Sequence, residues 1–254
     1  VYKRQTNMQG NSITKMRTDT DKVLATLDLS SDGFEPIGLD LNSITGEIYV
    51  VNSIFEPEWM ARARADDMVS DTVSIVDSNF RRSKKVVVGR RPVDVAVDSM
   101  RNNLYVANSL SRTISVIDLI SHEIVTEIEV EGMPNRLALV RTHLYCASDR
   151  GVVVIDTKLG RVTSTIRNIG HQPVDLISDG EQYLYIINNS SSNISIVNTV
   201  TQTVVKTLSV GLRPVRATIS KSGLLYVVNQ GHRALSIISR VGQGWQVIEE
   251  TIPI

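Results

Sequence analysis

The chain has 254 residues, of which 42% are hydrophobic and 21% are charged, as in an ordinary globular protein. Its 27 basic and 27 acidic residues cancel, which argues against a nucleic-acid-binding or membrane-surface protein. No apolar run reaches the roughly 20 residues of a transmembrane helix, and the single cysteine, Cys146, has no partner for a disulfide or a metal site.

One sequence unit recurs along the chain. A proline opens a short apolar strand, a strand reading Leu-Tyr-Val-x-Asn follows, then one reading Ile-Ser-Val-Ile-Asp, and a fourth, β-branched strand leads to the next proline. The prolines are spaced by 56, 42, 39 and 41 residues: Pro36, Pro92, Pro134, Pro173 and Pro214. The tyrosines keep the same rhythm: Tyr49, Tyr105, Tyr145, Tyr185 and Tyr226.

Four short strands in each unit of roughly 40–45 residues are typical of a propeller blade. The sequence therefore predicts an all-β fold, a single β-propeller domain of four-stranded antiparallel blades over residues 1–254, with about six blades visible. One blade cannot bury both of its faces, so the blades must pack against one another.

The segments Tyr105-Val106-Ala107-Asn108, Tyr226-Val227-Val228-Asn229 and Val116-Ile117-Asp118 resemble the YVTN repeat family of prokaryotic propellers. The resemblance covers nearly the whole chain. NHL repeats are the nearest alternative, although they carry Asp where Asn52, Asn108, Asn189 and Asn229 stand. The WD and kelch signatures are missing from the sequence.

The repeat is incomplete at its beginning. Asn7 falls on the repeat asparagine, but the repeat tyrosine would fall on Arg4, and residues 1–5 resemble a translated transposase end rather than native sequence. Six fourth-strand segments stand against five proline-opened strands. We therefore expect a fragment of a longer propeller, with seven blades when complete and eight as the alternative, whose upstream part holds any signal peptide.

A charged residue stands two positions after four of the five prolines, among apolar neighbours. By strand alternation it points away from the packed face and toward a central channel. The residues at this position are Gly38, Asp94, Arg136, Asp175 and Arg216. Two interpretations stay open: a set of blade-to-blade ion pairs, or a polar channel mouth that holds a ligand.

The loops that enter the proline-opened strands supply Arg91, His171, Gln172 and Arg213 to the same expected face. The basic residues on that face are arginines, with no lysine, and arginine is the better bidentate partner for carboxylate or phosphate. We expect an anionic ligand or an acidic protein partner there. The histidines expected in the loops of this face, His171 and His232, lack the further ligands that a metal site needs.

An insertion at residues 53–70 enlarges one blade on that face. A short helix is expected there, with Trp59, Met60 and Arg62 available to a partner protein. A loop without function is the alternative.

Other repeated polar residues have a structural interpretation. The Asp or Asn that ends each third strand is expected to form an Asx turn, and Cys146, in a strand position of Val or Ile, is expected in the core. The repeat asparagines are also interpreted as structural.

The resemblance implies a non-enzymatic binding module located in the periplasm or outside the cell. A lactonase-like hydrolase and a propeller that holds a cofactor or serves a redox partner are the alternatives. No Cys-x-x-Cys-His haem motif occurs, no nucleophile–base pair is identifiable on the expected face, and no cofactor is expected.

Overall fold

The computed structural model describes residues 2–33, 35–53, 71–242 and 244–253. Strands and turns make up this part of the chain, which contains no helix that could cross a membrane. The chain divides into two compact units, Val1–Pro134 and Asn135–Ile254. The predicted all-β architecture is confirmed.

The first unit holds three antiparallel sheets in which consecutive strands pair in chain order. A three-stranded sheet comes first: β1 (Tyr2–Asn7), β2 (Ser12–Arg17) and β3 (Val23–Asp28). Two four-stranded sheets follow: β4 (Pro36–Leu41), β5 (Ile48–Asn52), β6 (Thr72–Val76) and β7 (Arg82–Val87), then β8 (Pro92–Asp98), β9 (Asn103–Asn108), β10 (Thr113–Asp118) and β11 (Ile124–Glu129).

The second unit holds three four-stranded sheets of the same order. The first is β12 (Pro134–Val140), β13 (His143–Ser148), β14 (Gly151–Asp156) and β15 (Arg161–Ile166). The others are β16 (Pro173–Ser178), β17 (Tyr183–Asn188), β18 (Asn193–Asn198) and β19 (Thr203–Ser209), then β20 (Pro214–Ile219), β21 (Leu225–Asn229), β22 (Ala234–Val241) and β23 (Gly244–Pro253).

Each four-stranded sheet is one propeller blade, and each begins at a repeat proline as predicted. The first strand of a blade is called its inner strand below, and the fourth its outer strand. The three-stranded sheet corresponds to strands two to four, because Asn7 pairs with Ser12 as Asn108 pairs with Thr113. Within the described residues, the expected count of six outer strands and five proline-opened inner strands is therefore confirmed.

Bulges recur at two places in the blades. Inner strands skip the residue after proline, so that Asp94 rather than Val93 pairs with Ala107 on the second strand. Outer strands carry an extra residue near their start, as at Ser83, which lies between the pairs Val76↔Arg82 and Ile75↔Lys84. A bulge changes which face the following side chains take. These positions therefore set the side on which each charged residue lies.

The core consists of the two central strands of each blade, and it continues from one blade to the next within a unit. Tyr49, Val51 and Ile75 of one blade pack with Leu104 and Val106 of the next, all fully buried. Such burial contributes roughly 1.5–3 kcal/mol for each large aliphatic side chain. Cys146 is fully buried on β13, as predicted.

Two repeat tyrosines of the second unit link adjacent blades through their hydroxyl groups. Tyr145 Oη donates to the carbonyl of Thr199 at 3.1 Å, and Tyr185 Oη accepts from Trp245 Nε1 at 3.1 Å. In the first unit, Tyr49 Oη donates to Glu47. Burial raises the pKa of each of these tyrosines, so the phenols hold their protons in the folded protein.

We expect stability to fall as the pH rises above about 10, where an unfolded tyrosine begins to ionise. The contribution of each raised phenol is constant below that pH and is lost above it, by up to about 1.4 kcal/mol per pH unit. Melting temperatures measured from neutral to strongly alkaline pH test this. The Tyr145→Phe variant should show a shallower slope, and equal slopes would contradict the assignment.

The repeat asparagines are buried and bond to the third strand of their own blade. Their Nδ2 atoms donate to a hydroxyl two residues into that strand, for example from Asn108 to Ser115 at 2.8 Å and from Asn52 to Ser74 at 2.8 Å. The structural interpretation of these residues is confirmed, with one correction. Asn188, not Asn189, occupies the repeat position, and its Nδ2 donates to Ser195 at 3.0 Å.

A glycine packs tightly on each of three of these amides. A Cβ atom on Gly89 would lie 2.7 Å from Cγ of Asn108, and one on Gly211 would lie 2.6 Å from Cγ of Asn229. Gly170 approaches Asn188 in the same way. Each glycine stands three residues before a proline, so Gly-x-x-Pro belongs to the repeat because the amide fills the space of a side chain.

Three of the residues that end the third strands form Asx turns as predicted, whereas Asp77 Oδ1 accepts from the N–H of Arg81, four residues further on, at 2.8 Å. Asp118 Oδ1 accepts from the N–H groups of Ile120 and Ser121, at 3.0 and 2.7 Å. Asp156 and Asn198 make the equivalent pairs of bonds. Backbone donors of this kind lower the pKa of Asp118 and Asp156. These carboxylates are therefore structural.

Candidate functional site

The loops that enter the inner strands share an unusual backbone conformation. The residue before proline has a positive φ in four blades, with values from 52° to 56°, at Glu35, Arg91, Gln172 and Arg213. This left-handed region is unfavourable for non-glycine residues, and proline disfavours helical conformations in the residue before it. The surrounding contacts must hold it in place.

Hydrogen bonds on both sides of this residue provide that support. The carbonyl of Arg213 accepts from the N–H of Gln230, the residue after the repeat asparagine, at 3.0 Å. Its N–H lies 3.4 Å from the Ser192 hydroxyl of the preceding blade. Arg91 is held in the same way between Ser109 and Asp71. The backbone at this position is therefore held by hydrogen bonds on both sides of the residue.

Three inner strands of the second unit bring together a carboxylate and two guanidinium groups. Asp175 on β16 is 8% exposed, and its Oδ1 lies 3.1 Å from Arg216 Nη1 on β20 and 4.0 Å from Arg136 Nε on β12. Its Oδ2 accepts the N–H of Ala217 at 2.9 Å. The cluster of Arg136, Asp175 and Arg216 is called the arginine cluster below.

The arginine cluster has one positive charge in excess, and its members differ in exposure. The Arg136 side chain is 18% exposed, whereas that of Arg216 is 51% exposed. One N–H of Arg216 bonds Asp175, so other donors of this guanidinium are directed to solvent. The structure therefore contains the blade-to-blade ion pairs of the first interpretation, and the ligand-binding interpretation stays a prediction.

The other loop residues expected at the site lie in two places. In the second unit His171, Gln172 and Arg213 are exposed, and Gln172 Oε1 accepts from the Ser190 hydroxyl at 2.6 Å. Arg91 belongs to the first unit and is half-buried.

Asp94 lies on inner strand β8 of the first unit. Its Oδ1 lies 3.4 Å from the position of a Cβ on Gly38, so glycine leaves room for this carboxylate. Asp40, two residues after Gly38, accepts the N–H of Val97 at 2.8 Å, as Asp175 accepts that of Ala217. Burial raises the pKa of Asp40, and its backbone hydrogen bonds oppose the change.

The insertion residues Trp59, Met60 and Arg62 lie outside the described residues. Directly after the insertion, Asp71 accepts the N–H of Arg91 at 3.0 Å. Burial raises the pKa of Asp71, while this hydrogen bond and the charge of Arg90 lower it. The described residues hold no group of three His, Cys, Asp or Glu side chains suited to a metal ion.

Sequence reasoning missed two features of this region. The inner-strand bulge is invisible in the alternation of apolar residues, although proline, which lacks an N–H, favours such irregularities. In three of the sheets the residue before the third strand also bonds the next entry loop, through Asn11, Asp71 and Ser192. Only a comparison of equivalent loop positions could have suggested that role.

Known proteins resemble this chain in structure, but none of the known sequence families matches it. No family model and no curated protein matches the chain. A protein of unknown function from Desulfotomaculum acetoxidans DSM 771 superposes with a TM-score of 0.80 at 11% identity, covering 98% of this chain and 78% of that one. Kuenenia stuttgartiensis hydrazine synthase gives 0.73 at 21% identity, covering 92% and 72%. At these identities the likeness shows the fold alone, which is a β-propeller of about six blades.

Proposed function

We propose that the chain is a non-enzymatic binding module that recognises an anionic group through the arginines of its inner strands and entry loops. The arginine cluster carries this proposal. Both carboxylate oxygens of Asp175 accept hydrogen bonds from groups of the protein, whereas the Arg216 side chain is half exposed. A purely structural ion pair would not need a second arginine on the same carboxylate.

Arg213 adds a second cation on the same chain segment as Arg216. It stands three residues before Arg216, on the other side of Pro214, and its backbone is fixed by Gln230. Two arginines on a fixed backbone lose little conformational entropy when they bind an anion. Arginine presents several donors in one plane, which suits a carboxylate or a phosphate.

The proposal keeps the YVTN repeat assignment and a periplasmic or extracellular location, because the resemblance of the repeat supports both. Arg91 and Asp94 of the first unit stay predicted ligand contacts, and Trp59 in the insertion stays a predicted contact for a partner protein.

The double variant Arg213→Gln, Arg216→Gln should fold normally and lose affinity for organic anions. A thermal-shift panel of mono-, di- and tricarboxylates identifies the ligand class, and calorimetry measures the loss, on the order of tenfold or more for each charge-assisted contact. Lys221→Gln, on the turn before β21, is the matched control. Equal binding by the double variant and the wild type would show that these arginines only line a solvated rim.

A further inference from the structure

A second cationic site lies in the first unit. An open cavity of about 410 Å³ is lined by the loop before β4 and by outer strand β7. Three basic residues and one acidic residue line it. The lining residues, called the β7 cavity below, are Ser31, Asp32, Arg82, Ser83, Lys84 and Lys85.

The outer-strand bulge places two of these cations on one face. In a regular strand, residues three apart point to opposite faces. The extra residue Ser83 changes this parity, so Arg82 and Lys85 both lie on the side of Ser74. Lys85 Nζ then donates to the carbonyl of Ser31 at 3.3 Å. Lys84 takes the other side, where its ammonium bonds the carbonyl of Ser121.

A buried carboxylate fixes the arginine. Asp32 is 1% exposed, and its Oδ1 accepts from Arg82 Nη1 at 2.5 Å while its Oδ2 accepts from the Ser74 hydroxyl at 2.7 Å. The same Nη1 lies within hydrogen-bond distance of the Ser31 hydroxyl. The Arg82 side chain is still 45% exposed, so its remaining donors can reach the cavity.

Both members of this ion pair depart from the repeat. Arg82 pairs with Val76, and the equivalent residues of the other outer strands are apolar: Val23, Ile124, Val162, Val204 and Val247. Asp32 precedes a Gly-x-x-Pro motif, and the residues at its position before the other inner strands are also apolar: Val88, Val130, Ile169 and Val210. An apolar pair has been replaced by an ion pair at this one place in the repeat.

Stability does not account for that replacement. Well-packed apolar residues are often as stabilising as a buried ion pair or more so. Lysines on an exposed edge strand can prevent unwanted strand pairing, but that role does not require a buried carboxylate to orient an arginine. A recognition role explains both the orientation of Arg82 and the addition of Lys85.

We propose that the β7 cavity binds a phosphate-type dianion, held by Arg82, Lys85 and the Ser31 hydroxyl. Asp32 orients Arg82 and makes no contact with the ligand. The dianion could be a free phosphate or the headgroup of a phospholipid, and the two sources require the same donors.

The first test is calorimetric titration with inorganic phosphate and pyrophosphate. Lys85→Gln should weaken binding on the order of tenfold, because it removes one charged donor whose only described partner is a backbone carbonyl. Lys206→Gln is the control, because Lys206 is an exposed lysine on another outer strand, β19, and does not line the β7 cavity. Absence of phosphate binding, or equal losses in the two variants, would overturn the proposal.

The second test gives the positions of Asp32 and Arg82 the apolar residues that the other blades carry there. The double variant Asp32→Val, Arg82→Val should keep a cooperative melting transition and lose phosphate binding, and unchanged binding would again refute the site. Sedimentation with phosphatidylcholine vesicles that contain phosphatidic acid separates the two sources. Vesicle binding that Lys85→Gln abolishes assigns the headgroup, and phosphate binding without vesicle binding assigns the free anion.

Discussion

Replacing Gly89 with alanine should lower the free energy of unfolding by roughly 2–3 kcal/mol, a large effect for one methyl group. The added Cβ would lie 2.7 Å from both Cγ and Nδ2 of Asn108 and 2.9 Å from its Cβ. Asn108 is fully buried and bonded to the third strand, so it cannot move aside without losing those contacts. Chemical denaturation of the purified variant measures the loss.

A second substitution, at Asn108, should restore part of the stability that Gly89→Ala removes. In the blade whose repeat position is Ser148, the position of the glycine is taken by Glu131, which indicates that a smaller polar residue relieves the restriction. The Gly89→Ala change should therefore cost less in an Asn108→Ser background than in the wild type. Gly244→Ala is the control for alanine itself, because Gly244 has no positive φ and its added Cβ would come no closer than 3.8 Å to another residue, at the carbonyl of Val241. Additive losses at Gly89 and Asn108 would show that the two side chains do not compete for space.

Replacing Asp175 with alanine should cost about 2–4 kcal/mol, because it leaves Arg136 facing Arg216 and removes the acceptor of the Ala217 N–H. The value is set below that of a fully buried pair since Arg216 is half exposed and partly screened by solvent. Thermal and denaturant unfolding both report it.

Replacing each arginine separately compares the contributions of Arg136 and Arg216 to stability. Arg136→Met should destabilise more than Arg216→Met, because Arg136 is the more buried of the two. Asp149→Ala, which removes an exposed carboxylate in the same unit, should be nearly neutral. If Asp175→Ala melts at the wild-type temperature, the cluster contributes nothing to folding and its residues are free to serve only a ligand.

The fold could be predicted because its determinants are local and repeated. Proline fixes the start of each inner strand, tyrosine and β-branched residues favour strands, and Asx residues favour turns. Their common spacing then identifies the blade. The repeat asparagine was placed one residue late in one blade because Asn188 and Asn189 are adjacent, and only the pairing of Asn188 with Asn193 separates them.

The candidate sites were predicted less completely, for a physical reason. The alternation of charge at Asp94, Arg136, Asp175 and Arg216 was visible, but the bulge that sets their direction depends on strand pairing. The Asp32–Arg82 pair joins residues 50 positions apart, and it stands out only as two departures from an apolar pattern. Long-range pairs of this kind have no local signal.

The outer-strand bulge has a consequence for how this protein behaves at high concentration. Every outer strand exposes a row of backbone donors and acceptors, which in a flat strand would invite a second molecule to add a strand and start aggregation. All six outer strands carry a register shift against their neighbours. Because a bulge twists the edge and interrupts the row, protection against intermolecular sheet growth is built into the repeat itself. Blades can therefore be multiplied along a chain without multiplying the risk of aggregation.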